Sequence, residues 1–221
     1  MKGIIFDFNG TMFQDSHFHE KAWIHIIKKY STKAVTEEDI LHKIHGQTND
    51  KILTYFLNET LSEEKITLLS NEKEAYYRKL VLNQPDLSLT EGLEELLNSL
   101  LQRHTPMTIA TASPKQNVEF YYSLFNLDRW FDKDKIVYDD GSFPGKPSPD
   151  IFVLAAQYLK LLPKDCLVVE DAISGLKAAM NAGIGSIIAI DPEGKNQPHF
   201  DQNKLTYDGI IKNFNDFADY L

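Results

Sequence analysis

Short apolar runs that end in polar residues recur along the chain, each followed by a stretch with helical spacing. The runs are Lys2–Phe8 (KGIIFDF), Met107–Thr111 (MTIAT), Lys135–Tyr138 (KIVY), Cys166–Val169 (CLVV) and Ser186–Ile190 (SIIAI). Their continuous Val/Ile content predicts strands buried on both faces, as in a parallel sheet covered by helices. In Glu91–His104, Leu93, Leu96, Leu97, Leu100 and Leu101 repeat at helical spacing and predict one apolar stripe. Ser148–Leu162 opens on Ser-Pro-Asp, a helix-start signal, and continues apolar through Phe152, Ala155, Ala156 and Leu159. Strand–helix alternation from residue 87 onward predicts a doubly wound α/β domain.

Residues 14–86 break that rhythm. They hold no convincing strand, and helical stretches are predicted at Glu20–Tyr30, Glu37–Lys43, Asp50–Asn58 and Ser62–Leu82. A segment this long directly after the first strand exceeds a connecting loop. It reads as a small α-helical domain (14–86) inserted into an α/β core (1–13 and 87–221), hinged at Phe13–Ser16 and Asn83–Ser88. Its aromatics, including Trp23, Tyr55, Phe56, Tyr76 and Tyr77, are expected to form its own core.

Composition narrows the function classes. Over 221 residues, 43% are hydrophobic and 25% charged, an ordinary globular balance that needs no metal or disulfide staples. Cys166 is the single cysteine, which leaves no disulfide framework and no Cys-based zinc site. MKGIIFDFNG fits neither a signal peptide nor a membrane span, so a soluble cytoplasmic protein with no membrane partner is expected. The net charge of −9 offers no phosphate-tracking surface and disfavours nucleic acid. An acidic protein that handles phosphates needs local cations, most simply a divalent metal. Oligomeric state leaves no sign in the sequence.

Candidate chemistry sits at the strand ends, which converge on the ligand crevice of an open parallel sheet. Strand one ends in Asp7-Phe8-Asn9-Gly10-Thr11, and strand two in Thr111-Ala112-Ser113, with hydroxyls and N–H groups suited to phosphate oxygens. Gly145-Lys146-Pro147 follows strand three, and strand four ends in Glu170-Asp171. One acid at a strand end is an ordinary cap or turn residue, and a loop lysine is ordinarily solvated. Acid, hydroxyl, lysine and paired acids at successive strand ends form a set.

In that order, DFNGT, ATAS, GKPSPD and VVEDAISG resemble the four motifs of the haloacid dehalogenase superfamily of aspartate-nucleophile phosphotransferases. The resemblance covers nearly the whole chain and is nearest to β-phosphoglucomutase-like phosphatases, with residues 14–86 as a type-one cap. It implies a Rossmann-like core, an Asp7 nucleophile that forms an acyl-phosphate, and Mg²⁺ held by Asp7, Asp171 and the Asn9 main-chain carbonyl. Glu170 is implied as a direct ligand or as an orienting group. Lys146 is implied to neutralise charge, and Thr111 and Ala112 to bind phosphate oxygens. The implied substrate is a small phosphorylated metabolite.

Asn9 departs from the family pattern, which places a second aspartate there as acid and base. An amide does neither near neutral pH, so about 10²–10⁴-fold in rate is at stake. Activated substrates, another proton donor, a slow or purely phosphate-binding protein, and an introduced residue are the four accounts. Asn9-Gly10 is also a deamidation-prone pair, and deamidation would create the aspartate. In the insert, His19 and Lys73 match residues that β-phosphoglucomutase places near its cap–core junction and substrate. Each also fits a plain role, as a helix-start histidine and as a charged helix face. His17 and His19, two apart, make a poor helical metal site. The loop His45-Gly46-Gln47-Thr48-Asn49 resembles the specificity loop, with Asn49 where the mutase has an arginine. A weak amide anchor makes a sugar phosphomutase the second reading. Dehalogenation has no need of the Glu170-Asp171 site.

Overall fold

A computed structural model describes residues 3–45, 47–58 and 60–221, without the side chain of Asp216. Lys2, expected to open the first strand, and Gly46, of the expected specificity loop, lie outside the described residues. The chain divides into two compact units, Met1–Gln14 with Ser88–Leu221, and Asp15–Leu87.

Strand β1 (Gly3–Phe6) is buried along its length. The helical unit then contributes α1 (Ser16–Tyr30), α2 (Glu37–Asp39) running into a π-helical turn (Ile40–Ile44), α3 (Asn49–Leu57) and α4 (Glu63–Leu82). Thr36 caps α2 through a reciprocal pair with Asp39, and Ser62 caps α4 by accepting the Lys65 N–H. Trp23, Ile26 and Ile27 of α1 pack with Ile44, Ile52, Leu53, Phe56 and Leu69 as this unit's own core. Tyr77 is buried as well, whereas Tyr55 and Tyr76 are only half-buried.

The second unit continues with α5 (Leu93–Gln102), β2 (Met107–Pro114), α6 (Lys115–Leu124), β3 (Val137–Asp139), α7 (Asp150–Tyr158), β4 (Cys166–Glu170), α8 (Ile173–Asn181), β5 (Ser186–Ile190), α9 (Gln197–Gln202) and β6 (Gly209–Ile211). Its strands form a six-stranded parallel sheet in the order β3-β2-β1-β4-β5-β6. This is a doubly wound α/β fold of Rossmann-like order. With the right-handed crossovers expected of parallel strands, this order assigns α5 and α6 to one face and α7 and α8, which touch each other, to the other.

Several boundaries differ from the sequence expectation. β1 stops at Phe6 because Phe8 already turns back. β3 starts at Val137 because Lys133–Lys135 form a 3₁₀ turn. α1 begins at Ser16, four residues early, so His19 lies within its first turns. Leu101 is exposed rather than part of the α5 stripe, since eight positions on it has rotated off the buried face of Leu93 and Leu97. β6 is a strand the pattern did not predict.

Candidate active site

Phe6 pairs with Ile109 on one side and Val169 on the other. The next residues, Asp7, Ala110 and Glu170, therefore lie level with one another, Asp7 just past the end of β1, Glu170 at the last position of β4, and β2 running on to Pro114. Strand order reverses between β1 and β4, which makes this edge the switch point where open α/β sheets bind ligands. The Asp7 N–H still donates to Val169 O at 3.0 Å, and then the chain turns. Phe8 O accepts the N–H groups of Thr11 (3.3 Å) and Phe13 (3.1 Å), and the Gly10 N–H donates to Phe13 O at 2.8 Å. Gly10 has φ +76°, a left-handed conformation that glycine adopts without a Cβ penalty. The turn is braced by Gln14 Nε2, which donates to Gly10 O at 2.8 Å, and by the Thr90 hydroxyl, which donates to Thr11 O at 2.7 Å.

Lys146, in the segment between β3 and α7, is fully buried rather than solvated. Its ammonium donates to Asp7 Oδ1 at 2.5 Å and to Glu170 Oε1 at 2.7 Å, and lies 5.2 Å from the centre of the Phe152 ring. Burial alone depresses the Lys146 pKa, but the Asp7 and Glu170 carboxylates outweigh it and move it upward. The second Glu170 oxygen accepts the Ala172 N–H at 2.9 Å, at the start of α8. A Cβ on Gly175 would stand 1.6 Å from Glu170 Oε1, so only a glycine leaves room for this carboxylate.

Asp171 is half-buried and accepts the Thr11 hydroxyl at 3.3 Å. Asp7, Glu170 and Asp171 each offer an oxygen, and these atoms lie within 4.8 Å of one another. Three carboxylates against one ammonium leave negative charge in excess in a cluster that is largely buried. All the donors are hard oxygens, so the set fits a cation of the Mg²⁺ type.

Asn9 stands on the β2 side of the edge. Its Oδ1 accepts the Ser113 hydroxyl at 2.7 Å and the Thr111 hydroxyl at 3.3 Å, and its Nδ2 donates to Tyr121 OH at 2.9 Å. Thr111 is buried and accepts the Ser113 N–H at 3.1 Å, while Ala112 is half-buried between them. The structure thus gathers Asp7, Lys146, Glu170 and Asp171 into one cluster and ties Asn9 to Thr111 in an adjoining one. Sequence reasoning missed Tyr121, which brings its hydroxyl in from α6, and it missed the packing role of Gly175.

The family model described as haloacid dehalogenase-like hydrolase matches residues 4–189. The chain belongs to that family. This haloacid dehalogenase-like hydrolase is 28% identical over 190 residues to a phosphorylated carbohydrates phosphatase of Thermotoga maritima, covering 86% of this chain and 85% of the relative. It is 28% identical over 192 residues to the β-phosphoglucomutase of Bacillus subtilis, covering 85% and 82% of the two chains. A family IA hydrolase from Entamoeba histolytica superposes with a TM-score of 0.85 at 33% identity, over 97% of this chain and 94% of that one. These likenesses place the chain among the β-phosphoglucomutase-like phosphatases.

Within the helical unit of this hydrolase, His19 and Lys73 meet in a buried polar cluster. Lys73 is 2% exposed, so it is not a charged helix face. Its ammonium donates to His19 Nδ1 at 2.7 Å and to Glu74 Oε1 at 2.9 Å, and lies 5.0 Å from the centre of the Trp23 ring. Tyr77 stacks on His19 and donates its hydroxyl to Asp15. Asn49 donates to Glu74 Oε1 at 2.7 Å. Burial and the neighbouring Lys73 both lower the His19 pKa, and burial also lowers that of Lys73. Burial raises the Glu74 pKa, yet Lys73 and His19 bring it below the ordinary range. Gln47 is half-buried near the end of the π-helical turn, where its N–H donates to Ile44 O at 3.2 Å. His17 is exposed while His19 turns inward, so the two do not converge on a metal.

Proposed function

We propose that the chain is a Mg²⁺-dependent cytoplasmic phosphatase that acts on a small phosphorylated sugar through an aspartyl-phosphate on Asp7. The observation that carries this reading is the buried contact of Lys146 with Asp7 and Glu170, beside Asp171, at the switch point of the sheet. Asp7 Oδ attacks phosphorus, an Asp7–phosphorus bond forms, and the sugar oxygen leaves with its electron pair. Water then attacks the same phosphorus and releases phosphate and the free Asp7 carboxylate. Lys146 offsets the charge that builds between Asp7 and the phosphoryl group, and Glu170 holds the ammonium in place. Thr111 and the Ala112 N–H bind phosphoryl oxygens. Asp7, Asp171 and the Asn9 carbonyl would hold Mg²⁺, which supplies Lewis-acid stabilisation of phosphoryl charge when bound.

The carbohydrate-phosphate relatives support the substrate class, since a fructose-1-phosphate phosphatase of Escherichia coli is also 28% identical, over 185 residues. The helical unit would act as the cap that selects among substrates, with His19, Gln47 and Lys73 as its candidates. Asn49 donates its amide to Glu74, which leaves it ill-suited to a second phosphate and ranks phosphatase above mutase. With an amide at position 9, the leaving sugar oxygen takes its proton from solvent and the attacking water gives one up to solvent, which slows both steps.

The test is phosphate release from acetyl phosphate and a sugar-phosphate panel with Mg²⁺, with intact mass recorded during turnover. The expected result is release that disappears in Asp7→Ala, an accumulating phosphoenzyme, and a gain of at least about tenfold in Asn9→Asp. Release that survives Asp7→Ala, or neither release nor phosphoenzyme, overturns the reading in favour of a non-catalytic phosphate-binding protein.

A further inference from the structure

The Asn9 carboxamide belongs to a closed ring of hydrogen bonds. The Ser113 hydroxyl is 2.7 Å from Asn9 Oδ1, Asn9 Nδ2 is 2.9 Å from Tyr121 OH, and Tyr121 OH is 3.3 Å from Ser113 Oγ. Asn9 Oδ1 has no hydrogen, so Ser113 donates to it. The single Ser113 hydrogen is then committed, and the Tyr121 hydroxyl donates to Ser113. Within the ring, each of the three side chains therefore gives one bond and takes one, all in the same sense, and Asn9 Oδ1 takes the Thr111 hydroxyl besides. Its members come from three places in the fold: the turn after β1, the end of β2, and α6. Packing fixes them further, since the Tyr121 ring stacks on Phe8 with centroids 4.3 Å apart and planes 14° apart. Tyr121 and Ser113 are both buried.

An amide suits this ring in a way a carboxylate does not. A carboxylate at position 9 has nothing to donate to Tyr121, so both hydroxyls would have to point into it and the ring would lose its direction. The ring also bears on the chemistry of the Asn9-Gly10 pair. Cyclisation needs the Gly10 nitrogen to attack Asn9 Cγ. The new C–N bond displaces Nδ2 as ammonia, which takes up the Gly10 proton, and water later opens the succinimide to Asp or isoAsp. The Gly10 N–H is already given to Phe13 O at 2.8 Å, and the ring holds both Nδ2 and Oδ1. Both contacts oppose deamidation of the Asn9-Gly10 pair, to which its sequence makes it prone.

We propose that Ser113 and Tyr121 are positioning residues for Asn9, holding its carboxamide in one orientation and protecting it from cyclisation onto Gly10. Neither role rests on the phosphatase reading.

The experiment is therefore read by mass. The full-length protein is incubated in H₂¹⁸O at mildly alkaline pH, and the peptide that carries Asn9 is followed for conversion to Asp or isoAsp with label uptake. Wild type is expected to keep Asn9 far longer than the same chain unfolded in urea. Tyr121→Phe and Ser113→Ala should each speed conversion about fivefold, the worth of one net hydrogen bond, while Ser113→Thr, which keeps the hydroxyl, should stay at the wild-type rate. Circular dichroism confirms that the variants are folded. If Tyr121→Phe fails to fold, the contrast between Ser113→Ala and Ser113→Thr carries the test. Folded variants that convert at the wild-type rate overturn the proposal, as does a wild type that converts as fast as the unfolded chain.

Discussion

Gly175→Ala adds one carbon to the glycine of α8 that packs against Glu170. In open space the change would favour α8 by about 1 kcal/mol, because alanine is the better helix former. Here the new Cβ would lie 1.6 Å from Glu170 Oε1 and 2.0 Å from its Cδ, so the carboxylate must leave its place. Overpacking of this kind costs about 1–3 kcal/mol. Moving Glu170 also forfeits its bonds to Lys146 (2.7 Å) and to the Ala172 N–H (2.9 Å), and breaking a buried ion pair costs about 3–5 kcal/mol. The net expectation is a loss of about 3 kcal/mol or more, a large share of a typical domain stability. The chain has two tryptophans, Trp23 in the helical unit and Trp130 in the sheet unit, so a Trp23→Phe background isolates the sheet unit. Urea unfolding read at Trp130 measures the loss. Glu170→Asp, which withdraws the carboxylate by one methylene, should make the double variant less damaged than the sum of the singles by about 1 kcal/mol or more. Strict additivity, or a Gly175→Ala cost under about 1 kcal/mol, would refute the close-approach argument.

Lys146→Met should cost the sheet unit about 3–5 kcal/mol by leaving Asp7 and Glu170 face to face, and should abolish phosphate release. Because the folded Lys146 pKa is raised, its contribution is complete below the unfolded value of about 10.4 and is lost only as pH climbs through the higher folded one. The stability difference between Lys146→Met and wild type should therefore be flat from mildly acidic to mildly alkaline pH, and a slope near neutrality would count against it. His19 behaves oppositely: its folded pKa is lowered, so below about pH 6.5 the unfolded chain takes up a proton that the folded one refuses. Stability of the helical unit, read at Trp23 in a Trp130→Phe background, should fall as pH drops from there toward the folded value. His19→Gln should flatten that slope, and unchanged slopes would exclude His19 as its source.

The sheet was legible because its strands are short and uniformly apolar: Ser186–Ile190 appears as a strand over the expected residues. β6 was not, because Gly209-Ile210-Ile211 is too short for any period to show and owes its strand geometry to pairing with β5. Motif order located the acids and the lysine, while their contacts depend on register, since Asp7 and Glu170 are level only because Phe6 pairs with Val169. The burial of Lys73 could not be read from helical periodicity. A lysine inside a helix core makes sense only once Glu74, His19 and the Trp23 ring surround it. Tyr121 is not singled out by the sequence, because nothing in the local pattern of α6 announces a hydroxyl aimed at Asn9.

The central place of β1 in the sheet has a consequence for the order in which the molecule can assemble. Ile5 pairs with Thr108 on one side and Val168 on the other, so β1 has no partner until the helical unit and α5 have been made, and lacks its second until β4 has followed. The contacts of the helical unit, by contrast, are complete once Leu87 has been made. The apolar strand that leads into Asp7 must wait, unpaired, while the insert behind it closes on itself. Sheet formation then becomes a late, long-range event, slower and more exposed to wrong partners than the helices that precede it.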